Sequence, residues 1–593
     1  MQESGFPFDS SPQPVRRSRR VVSWWPSLIL VVAILAFLGT LLSQTLFKAS
    51  GVSGTVFDAY TLTPLAGATV IAGQSRITTD ANGRFHIGNK ISNVTVQKSG
   101  YDSAAIKLTP GVDQVRLSIR PNVVEGKVTS TVDDVPVAGA KVVVFVGSNA
   151  VQSATTDGVG AFSLADVPEG ASLSVSASDF APATVVIDHR TQVEVQMRPD
   201  ALIGVVTDDK GKPIPGALVA VGNAYTNTGA DGTYRLKGVA QVGTAYYKAS
   251  GYTAVDKPLV PALHLNVSLT PVTVDALYAT AQTASDPALL NPLINTIDTT
   301  GANALVVDLK DSSGHVFYNS QVPLAHEINA VSPILDPAVL VKNLHEHHIY
   351  AIARIVVFED PILAEARPDW AIHDSATGGL WRTWDGLAWV NAYRSEVWDY
   401  DIAIAKEAAA FGFDEIQLDY IRFPTDGNLA TAEYGVPQNA ETRPTAIGSF
   451  LQEMYAAIAP THAYLAADVF GLTLWESGDG QIGQNLETMV KYLDYICPMI
   501  YPSHFAAGSM GFDIPNNHPY EVILWSLQNA EERIPEQKEK LRPWLQDFSL
   551  GEGVAYGPNE VKRQIDATNN AGLTGWMLWN AANVYHATAL GPN

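Results

Sequence analysis

The chain has 593 residues, which at roughly 100–200 residues per domain corresponds to several domains. Hydrophobic residues make up 46% and charged residues 17%, so the chain has ample material for packed cores and is not disordered throughout. The net charge of −22, from 38 Lys and Arg against 60 Asp and Glu, argues against a nucleic-acid partner because an acidic surface repels phosphate. The single cysteine, Cys497, excludes an intrachain disulfide framework, a cysteine-based zinc site and an iron–sulfur cluster.

The N-terminal segment is basic and then strongly apolar. Four arginines lie within residues 16–20, and no residue from 21 to 47 is charged. A run of this length can cross a bilayer core of about 30 Å, and the arginines before it favour a cytoplasmic N-terminus. A cleaved signal peptide is the alternative, although no small-residue cleavage site follows. We therefore predict a cytoplasmic tail (1–20), a transmembrane signal-anchor helix in the lipid bilayer (21–47), and a single-pass cell-membrane protein whose remaining chain is extracytoplasmic.

Residues 51–271 repeat one short pattern with a period of roughly 75 residues. Each copy has a glycine within its first predicted strand, namely Gly54, Gly126 and Gly204. Each copy also has a turn glycine followed two residues later by an aromatic residue, the pairs being Gly83 with Phe85, Gly160 with Phe162, and Gly232 with Tyr234. Short alternating strands between Gly, Asp and Pro turns are typical of small antiparallel sandwiches. The pattern predicts all-β sandwich repeats at 48–121, 122–199 and 200–271.

This order of elements resembles the carboxypeptidase regulatory-like domains, a family of transthyretin-like and Ig-like β-sandwiches. Two interpretations stay open for the repeats: a stalk that holds the C-terminal region away from the membrane, or modules that bind glycan or protein. The repeated turn aspartates Asp80, Asp157 and Asp231 are ordinary turn residues, so we do not predict a calcium site there.

From residue 272 onward, apolar runs alternate with helical stretches, the βα rhythm of a parallel sheet. The predicted strands are 275–281, 304–310, 350–358, 415–420, 464–469, 495–499, 541–547 and 575–579. Eight strands in a segment of this length fit a (β/α)8 TIM barrel at 272–593 better than an open sheet.

In such a barrel the catalytic residues lie at the C-terminal ends of the strands. Three carboxylates end apolar predicted strands there, namely Asp419, Asp468 and Asp547. A carboxylate in this position is costly to desolvate unless it is paired or used in chemistry. Other strand ends carry candidate substrate-binding residues, namely Asp308, Arg354, Arg422, Tyr501, His504 and Trp579.

Tryptophans cluster after the third predicted strand, and two of them, Trp381 and Trp384, are candidates for stacking on a sugar ring. Packing within the loop is the alternative for both. The His345-Glu-His347-His348 run lacks the spacing of a His-Glu-x-x-His zinc motif, and Cys497 lies in an apolar strand. We therefore predict no metal site, no cofactor and no nucleophilic thiol.

Three C-terminal motifs together are similar to those of a bacterial glycoside hydrolase family with an amylase-like barrel, namely Phe413–Asp426, Ala467–Gly471 and Pro498–Phe505. The resemblance covers 272–593. It implies that Asp419 is the nucleophile or base, that Asp468 is the general acid, and that Asp547 is a third carboxylate, with Glu476 as a further reserve. Amylase-type barrels carry an arginine where this chain has Gln417, which leaves the charge environment of Asp419 open.

These observations predict a membrane-anchored extracytoplasmic glycoside hydrolase that cleaves O-glycosidic bonds of a polysaccharide or oligosaccharide by paired-carboxylate chemistry. The alternatives are a non-catalytic binder of surface polysaccharide and an adhesin or scaffold, each with a degenerate barrel. The separation of the two carboxyl groups distinguishes retention from inversion, and it depends on tertiary structure.

Overall fold

A computed structural model describes residues 51–573 and 575–592. The predicted cytoplasmic tail and the predicted membrane segment, 21–47, lie outside these residues. No helix in the part of the chain that is described has the length and apolarity needed to cross a membrane. The described chain forms two compact units divided near Met197. The first contains the first two repeats, and the second contains the third repeat together with the C-terminal barrel.

Each repeat within residues 51–271 consists of a three-stranded and a four-stranded sheet. The strands of the first repeat are β1 (Val52–Asp58), β2 (Thr69–Ala72), β3 (Ser75–Thr78), β4 (Arg84–Ile87), β5 (Asn93–Gln97), β6 (Ala104–Lys107) and β7 (Gln114–Ile119). Those of the second are β8 (Val124–Ser130), β9 (Lys141–Val146), β10 (Asn149–Thr155), β11 (Ala161–Leu164), β12 (Ser172–Ala177), β13 (Phe180–Val186) and β14 (Gln192–Met197). Those of the third are β15 (Ala201–Asp208), β16 (Leu218–Val221), β17 (Ala224–Asn227), β18 (Thr233–Lys237), β19 (Thr244–Lys248), β20 (Val255–Pro258) and β21 (Val267–Leu269).

The three repeats share one topology. The strand order in the first is β4-β1-β7 in one sheet and β3-β2-β5-β6 in the other, and the second and third repeats follow the same order. The prediction of β-sandwiches is confirmed, but the expectation of wholly antiparallel sheets is wrong. The first strand of each repeat pairs in parallel with the last strand on one side and antiparallel with the fourth strand on the other.

The repeated glycine and aromatic positions are cross-strand partners. Gly54 on β1 lies opposite Phe85 on β4, and the second and third repeats pair Gly126 with Phe162 and Gly204 with Tyr234. A Cβ atom on Gly54 would lie 2.6 Å from the ring of Phe85. The glycine therefore leaves room for an aromatic ring to lie across the strand, which explains why the two positions recur together.

Within the described residues, eight parallel strands close into a C-terminal barrel. They are β22 (Val274–Ala279), β23 (Ala304–Lys310), β24 (Tyr350–Val356), β26 (Glu415–Asp419), β28 (Tyr464–Phe470), β29 (Tyr495–Met499), β30 (Trp544–Gln546) and β31 (Gly575–Trp579). Two short strands, β25 (His373–Asp374) and β27 (Ala432–Glu433), pair outside the barrel. The TIM-barrel prediction is confirmed. The seventh strand is shorter than predicted, and it begins after Pro543, which has no N–H to donate to a ladder.

The helices connect these strands in βα order. They are α1 (Ala281–Ser285), α2 (Pro287–Thr299), α3 (Pro323–Glu327), α4 (Pro337–Glu346), α5 (Pro361–Ala366), α6 (Ser395–Ala410), α7 (Thr442–Ile458), α8 (Leu486–Met489), α9 (Pro519–Arg533) and α10 (Pro558–Asn570). Their apolar residues pack with the outward residues of the strands into one continuous core. Residues that point into the barrel form a second, aromatic-rich cluster that includes Tyr278 and Trp544.

The third repeat packs against the N-terminal end of the barrel. Lys248 is buried, and its Nζ lies 3.1 Å from Asp494 and donates to the carbonyl of Ala463. The hydroxyl of Tyr246 donates to the carbonyl of His462 at 2.6 Å. These barrel residues immediately precede β28 and β29, so the third repeat lies at the opposite end from the strand termini that carry candidate catalytic residues.

Candidate active site

A cavity of about 480 Å³ lies at the C-terminal ends of the barrel strands. This volume falls within the range of small-molecule sites. Its lining residues are Arg354, Asp419, Tyr420, Arg422, Asp468, Phe470, Gly471, Leu472, Met499, Tyr501, His504, Phe505, Trp544 and Trp579. The cavity thus combines a few charged groups with many aromatic and apolar side chains.

Asp419 is the last residue of β26, and both of its carboxylate oxygens accept hydrogen bonds. Arg354 donates to Oδ2 through Nε at 3.0 Å and also through Nη2. The backbone N–H of Tyr420 donates to Oδ1 at 2.6 Å. Tyr420 has a φ of 52°, a left-handed conformation that is uncommon for a bulky residue. This turn at the strand end directs the N–H of Tyr420 toward the carboxylate and helps to stabilise its negative charge.

Arg354 links this carboxylate to a second one. Its Nη1 donates to Asp308 Oδ1 at 2.7 Å, and the hydroxyl of Tyr278 donates to Asp308 Oδ2 at 2.5 Å. Burial opposes the charge of Arg354, but the carboxylates of Asp419 and Asp308 outweigh it and raise the pKa of this guanidinium well above its usual value. Arg354 is therefore a fixed cation beneath the cavity.

The arginine that the amylase resemblance places at position 417 has a substitute on the neighbouring strand. Gln417 is buried, and its Nε2 lies 3.3 Å from the sulfur of Met577. Arg354 on β24 is the direct register partner of Gln417 on β26. The positive charge beside Asp419 is thus present, but it comes from the adjacent strand.

Asp468 lies in a different environment. It is buried, its Oδ1 accepts a hydrogen bond from Trp544 Nε1 at 2.7 Å, and its Oδ2 lies 4.0 Å from Arg354 Nε. Burial, and then the nearby charge of Asp419, raise the pKa of Asp468 well above its usual value. Burial thus favours the neutral form of Asp468, and because Oδ1 accepts from the indole, Oδ2 is the oxygen placed to carry a proton.

The same guanidinium nitrogen approaches both carboxyl groups. Arg354 Nε is 3.0 Å from Asp419 Oδ2 and 4.0 Å from Asp468 Oδ2. These two oxygens consequently lie within about 7 Å of each other, which is within reach of a single glycosidic bond.

Aromatic rings surround the charged groups. Trp579 stacks on Tyr278 with ring centroids 4.1 Å apart, and the guanidinium of Arg354 lies 5.5 Å from the Trp579 ring. Arg422 also lines the cavity, and its guanidinium contacts three rings at 4.9–5.1 Å, those of Trp389, Tyr420 and Phe470. The aromatic packing restricts both arginines to one orientation.

Tyr501 and His504 also line the cavity, with their rings 5.2 Å apart. Burial lowers the pKa of His504, so this ring is neutral over most of the physiological range. The neutral ring can donate a hydrogen bond to a sugar hydroxyl or accept one from it, and it adds no charge to the cavity.

Four of the predicted site residues do not line the cavity. Asp308 is buried and accepts a hydrogen bond from Arg354 at 2.7 Å. Asp547 is buried, and it accepts hydrogen bonds from the His586 ring at 2.5 Å and from the His586 backbone at 3.0 Å. Trp381 is buried and donates to the carbonyl of Asn428, whereas Trp384 is 78% exposed at the tip of its loop. The predicted reserve residue Glu476 is exposed in the loop after β28.

Sequence reasoning missed two residues of the site: Trp544, which donates to Asp468, and Tyr278, which donates to Asp308. Glu359 follows β24 at a strand end that the sequence identifies, but sequence reasoning assigned it no role. Burial, to which the charge of Asp419 adds, raises the pKa of Glu359 to about 7 although Arg422 opposes this. The available signal was strand alternation, since Tyr278 and Trp544 occupy inward-facing positions of short strands that end at the cavity.

No cluster of three or more metal-ligand side chains occurs among residues 51–573 and 575–592. His345 binds Asp414 at 2.9 Å, and His347 binds Asp298 at 2.8 Å. Cys497 is buried, and burial raises the pKa of its thiol well above the usual value. The histidine run and the cysteine therefore have packing and ion-pair partners outside the cavity.

Comparisons with known proteins support the resemblances found in the motifs. Residues 123–198 match the carboxypeptidase regulatory-like domain, and comparison with curated proteins finds no match. A hypothetical protein from Ruminiclostridium thermocellum is 36% identical over 32% of this chain and 97% of its own, with a TM-score of 0.28. The PgaB (BpsB) glycoside hydrolase domain from Bordetella bronchiseptica is 12% identical over 54% of this chain and 99% of its own, with a TM-score of 0.40. A chitinase from Chromobacterium violaceum is 13% identical over 54% and 97%, with a TM-score of 0.33.

Residues 276–585 match the family model described as "Putative glycosyl hydrolase domain". Because this match spans more than half of the chain, the protein belongs to this glycosyl hydrolase domain family.

Proposed function

We propose that the barrel hydrolyses O-glycosidic bonds of a polysaccharide, with Asp468 as the general acid and Asp419 as the nucleophile or base. One observation carries the proposal: two carboxyl groups meet in one cavity, one bound by a guanidinium and the other buried with a neutral indole as its hydrogen-bond donor. Glycoside hydrolysis needs this combination, because one group must donate a proton while the other stays ionised.

In the proposed reaction, Asp468 Oδ2 gives its proton to the glycosidic oxygen as the bond from that oxygen to the anomeric carbon breaks. Asp419 either attacks the anomeric carbon or removes a proton from the water that attacks it. Water completes the reaction in both cases, and the proton released from it restores the acid form of Asp468 directly or through solvent. Arg354 orients the carboxyl group of Asp419, since it holds Oδ2 through two donors.

We further propose that the enzyme works outside the cytoplasm, anchored to the cell membrane through residues 21–47. The support is the uncharged run and the arginines that precede it. Membrane anchoring is tested by extraction of the full-length protein and of a chain that begins at residue 48. Only the full-length protein should require detergent.

The test of hydrolysis is reducing-end release from soluble glucans, xylan, chitin derivatives and cell-wall polysaccharides. We expect Asp419→Asn and Asp468→Asn each to lower kcat by about 10²–10⁴-fold. Glu476→Gln is the matched control, because it removes an exposed carboxylate from the loop after β28. Its activity should equal that of the wild type.

A substrate with a good leaving group distinguishes the two roles. An activated aryl glycoside of the cleaved sugar needs no protonation to leave, so Asp468→Asn should retain activity on it while Asp419→Asn should not. Polymer binding by the wild type without release of reducing ends would overturn the hydrolase proposal in favour of a non-catalytic binder.

A further inference from the structure

The apolar wall of the cavity continues outward as a row of three aromatic rings. Phe505 lines the cavity, and its ring centroid lies 5.1 Å from that of Trp475. Trp475 in turn lies 5.0 Å from Trp525. We call these three residues the aromatic rim.

The rim is assembled from three separate elements at the same end of the barrel. Trp475 follows β28, Phe505 follows β29, and Trp525 lies in the second turn of α9, close to the end where that helix begins. Phe505 and Trp475 are partly buried, and the Trp525 side chain is 37% exposed. The row therefore runs from the cavity wall to the solvent without a break.

The chemistry of the rim suits uncharged sugars. The C–H faces of pyranose rings stack on flat aromatic surfaces. The planes of neighbouring rim rings differ by 48° and 63°, so the rim offers several differently oriented faces, of which the indole of Trp525 is the most exposed. An acidic polymer is disfavoured, because the protein carries a net charge of −22 and its field repels polyanions at long range.

We propose that the aromatic rim is a subsite for an uncharged polysaccharide, binding the sugar units that extend outward from the bond held in the cavity. The inference rests on the proposed function, since it assigns the cavity to the scissile bond. Such a subsite holds sugar units beyond the cleaved bond, so the preferred substrate is longer than the part that fits the cavity.

The experiment measures binding of the protein to polymers by affinity gel electrophoresis in the Asp419→Asn background, which prevents turnover. The uncharged probes are hydroxyethyl cellulose, xylan, soluble starch and glycol chitin, and the anionic probe is polygalacturonate. One of the uncharged polymers should slow the migration of the parent protein. We expect Trp525→Ala to weaken binding to that polymer by about tenfold, the effect of losing one aromatic contact residue. Trp525→Phe, which keeps a stacking surface, should restore most of the binding.

Leu289→Ala is the control, because it removes an apolar side chain that is 51% exposed on another outer helix, α2. Its affinity should match that of the parent protein. Equal binding by Trp525→Ala and the parent, preference for polygalacturonate, or no binding to any uncharged polymer would overturn the inference.

The two proposals fail separately. Release of reducing ends that Asp419→Asn abolishes, together with unchanged polymer binding in Trp525→Ala, would overturn the rim alone. Polymer binding that Trp525→Ala weakens, without any release by the wild type, would overturn hydrolysis while supporting the subsite.

Discussion

Arg354 and Trp544 place the chemically identical side chains of Asp419 and Asp468 in different environments. Arg354 donates twice to Asp419, whereas the direct hydrogen-bond donor to Asp468 is the neutral indole of Trp544. Asp468 is also buried, which disfavours its charged form. A proton donor and an anion can therefore coexist in one cavity.

Removing the indole donor should shift the pH profile. The proposed activity requires a protonated Asp468, so it is lost as the pH rises through the raised pKa of that group. The hydrogen bond from Trp544 opposes this rise, so Trp544→Phe should raise the pKa of Asp468 further. We expect the basic limb of the profile of kcat/KM against pH to move to higher pH, with a lower maximum because Asp468 is less well oriented.

Trp389→Phe is the matched control for this variant. Trp389 is also buried, and its indole nitrogen has no hydrogen-bond partner among the described residues. Its replacement by Phe should leave the basic limb where it is. A basic limb that moves to lower pH in Trp544→Phe would contradict the assignment of Asp468 as the acid.

At the scale of the elements, the sandwiches depend on a glycine in the first strand of each repeat. A Cβ atom on Gly126 would overlap the carbonyl oxygen of Val193 on one neighbouring strand and the ring of Phe162 on the other. The carbonyl oxygen of Val193 is fixed by the strand backbone, and the ring of Phe162 is fixed by its packing in the sandwich core. The position therefore accepts no side chain without movement of a strand.

Gly126→Ala should lower the free energy of unfolding of the protein's second repeat by about 1–3 kcal/mol, the usual cost of overpacking. Gly158→Ala in the same repeat is the control, because it lies in open space and has no left-handed backbone. Urea unfolding followed by limited proteolysis of the repeat measures both. Equal stability of the two variants would show that the strand moves freely enough to accept a methyl group.

At the scale of the whole molecule, the third repeat is part of the barrel's own compact unit. Lys248 of the repeat is buried against Asp494 and Ala463, and Gly251 donates its backbone N–H to the hydroxyl of Tyr495 at 2.9 Å. Removing the repeat would expose these barrel groups and remove the hydrogen bonds that Lys248 and Gly251 make to them. The repeat therefore serves as a cover for the N-terminal end of the barrel.

A chain of residues 200–593 should consequently fold and melt cooperatively, whereas a chain of residues 272–593 should melt at a lower temperature or aggregate. The shorter chain loses the ion pair of Lys248 with Asp494 and exposes the apolar surface around Ala459 that the third repeat covers. Differential scanning calorimetry compares the two chains. Identical melting temperatures would mean that the barrel is stable without the third repeat.

Local patterns in the sequence were enough to predict the sandwiches, the barrel and the strand ends that carry Asp419 and Asp468. Strand alternation, turn glycines and helix-length apolar segments involve only neighbouring residues, so they can be recognised from the sequence alone. The position of a residue at the end of a strand follows from the same signals.

The environments of these residues depended on folding. Arg354 is 65 positions from Asp419, and Trp544 is 76 positions from Asp468. Neither hydrogen bond can therefore be predicted from a short stretch of sequence. Asp547 has a strand-end position like those of the other two aspartates, yet it binds His586 and does not line the cavity. Hydrogen bonds and desolvation depend on which distant groups packing brings together, and they give these three strand-end aspartates different environments.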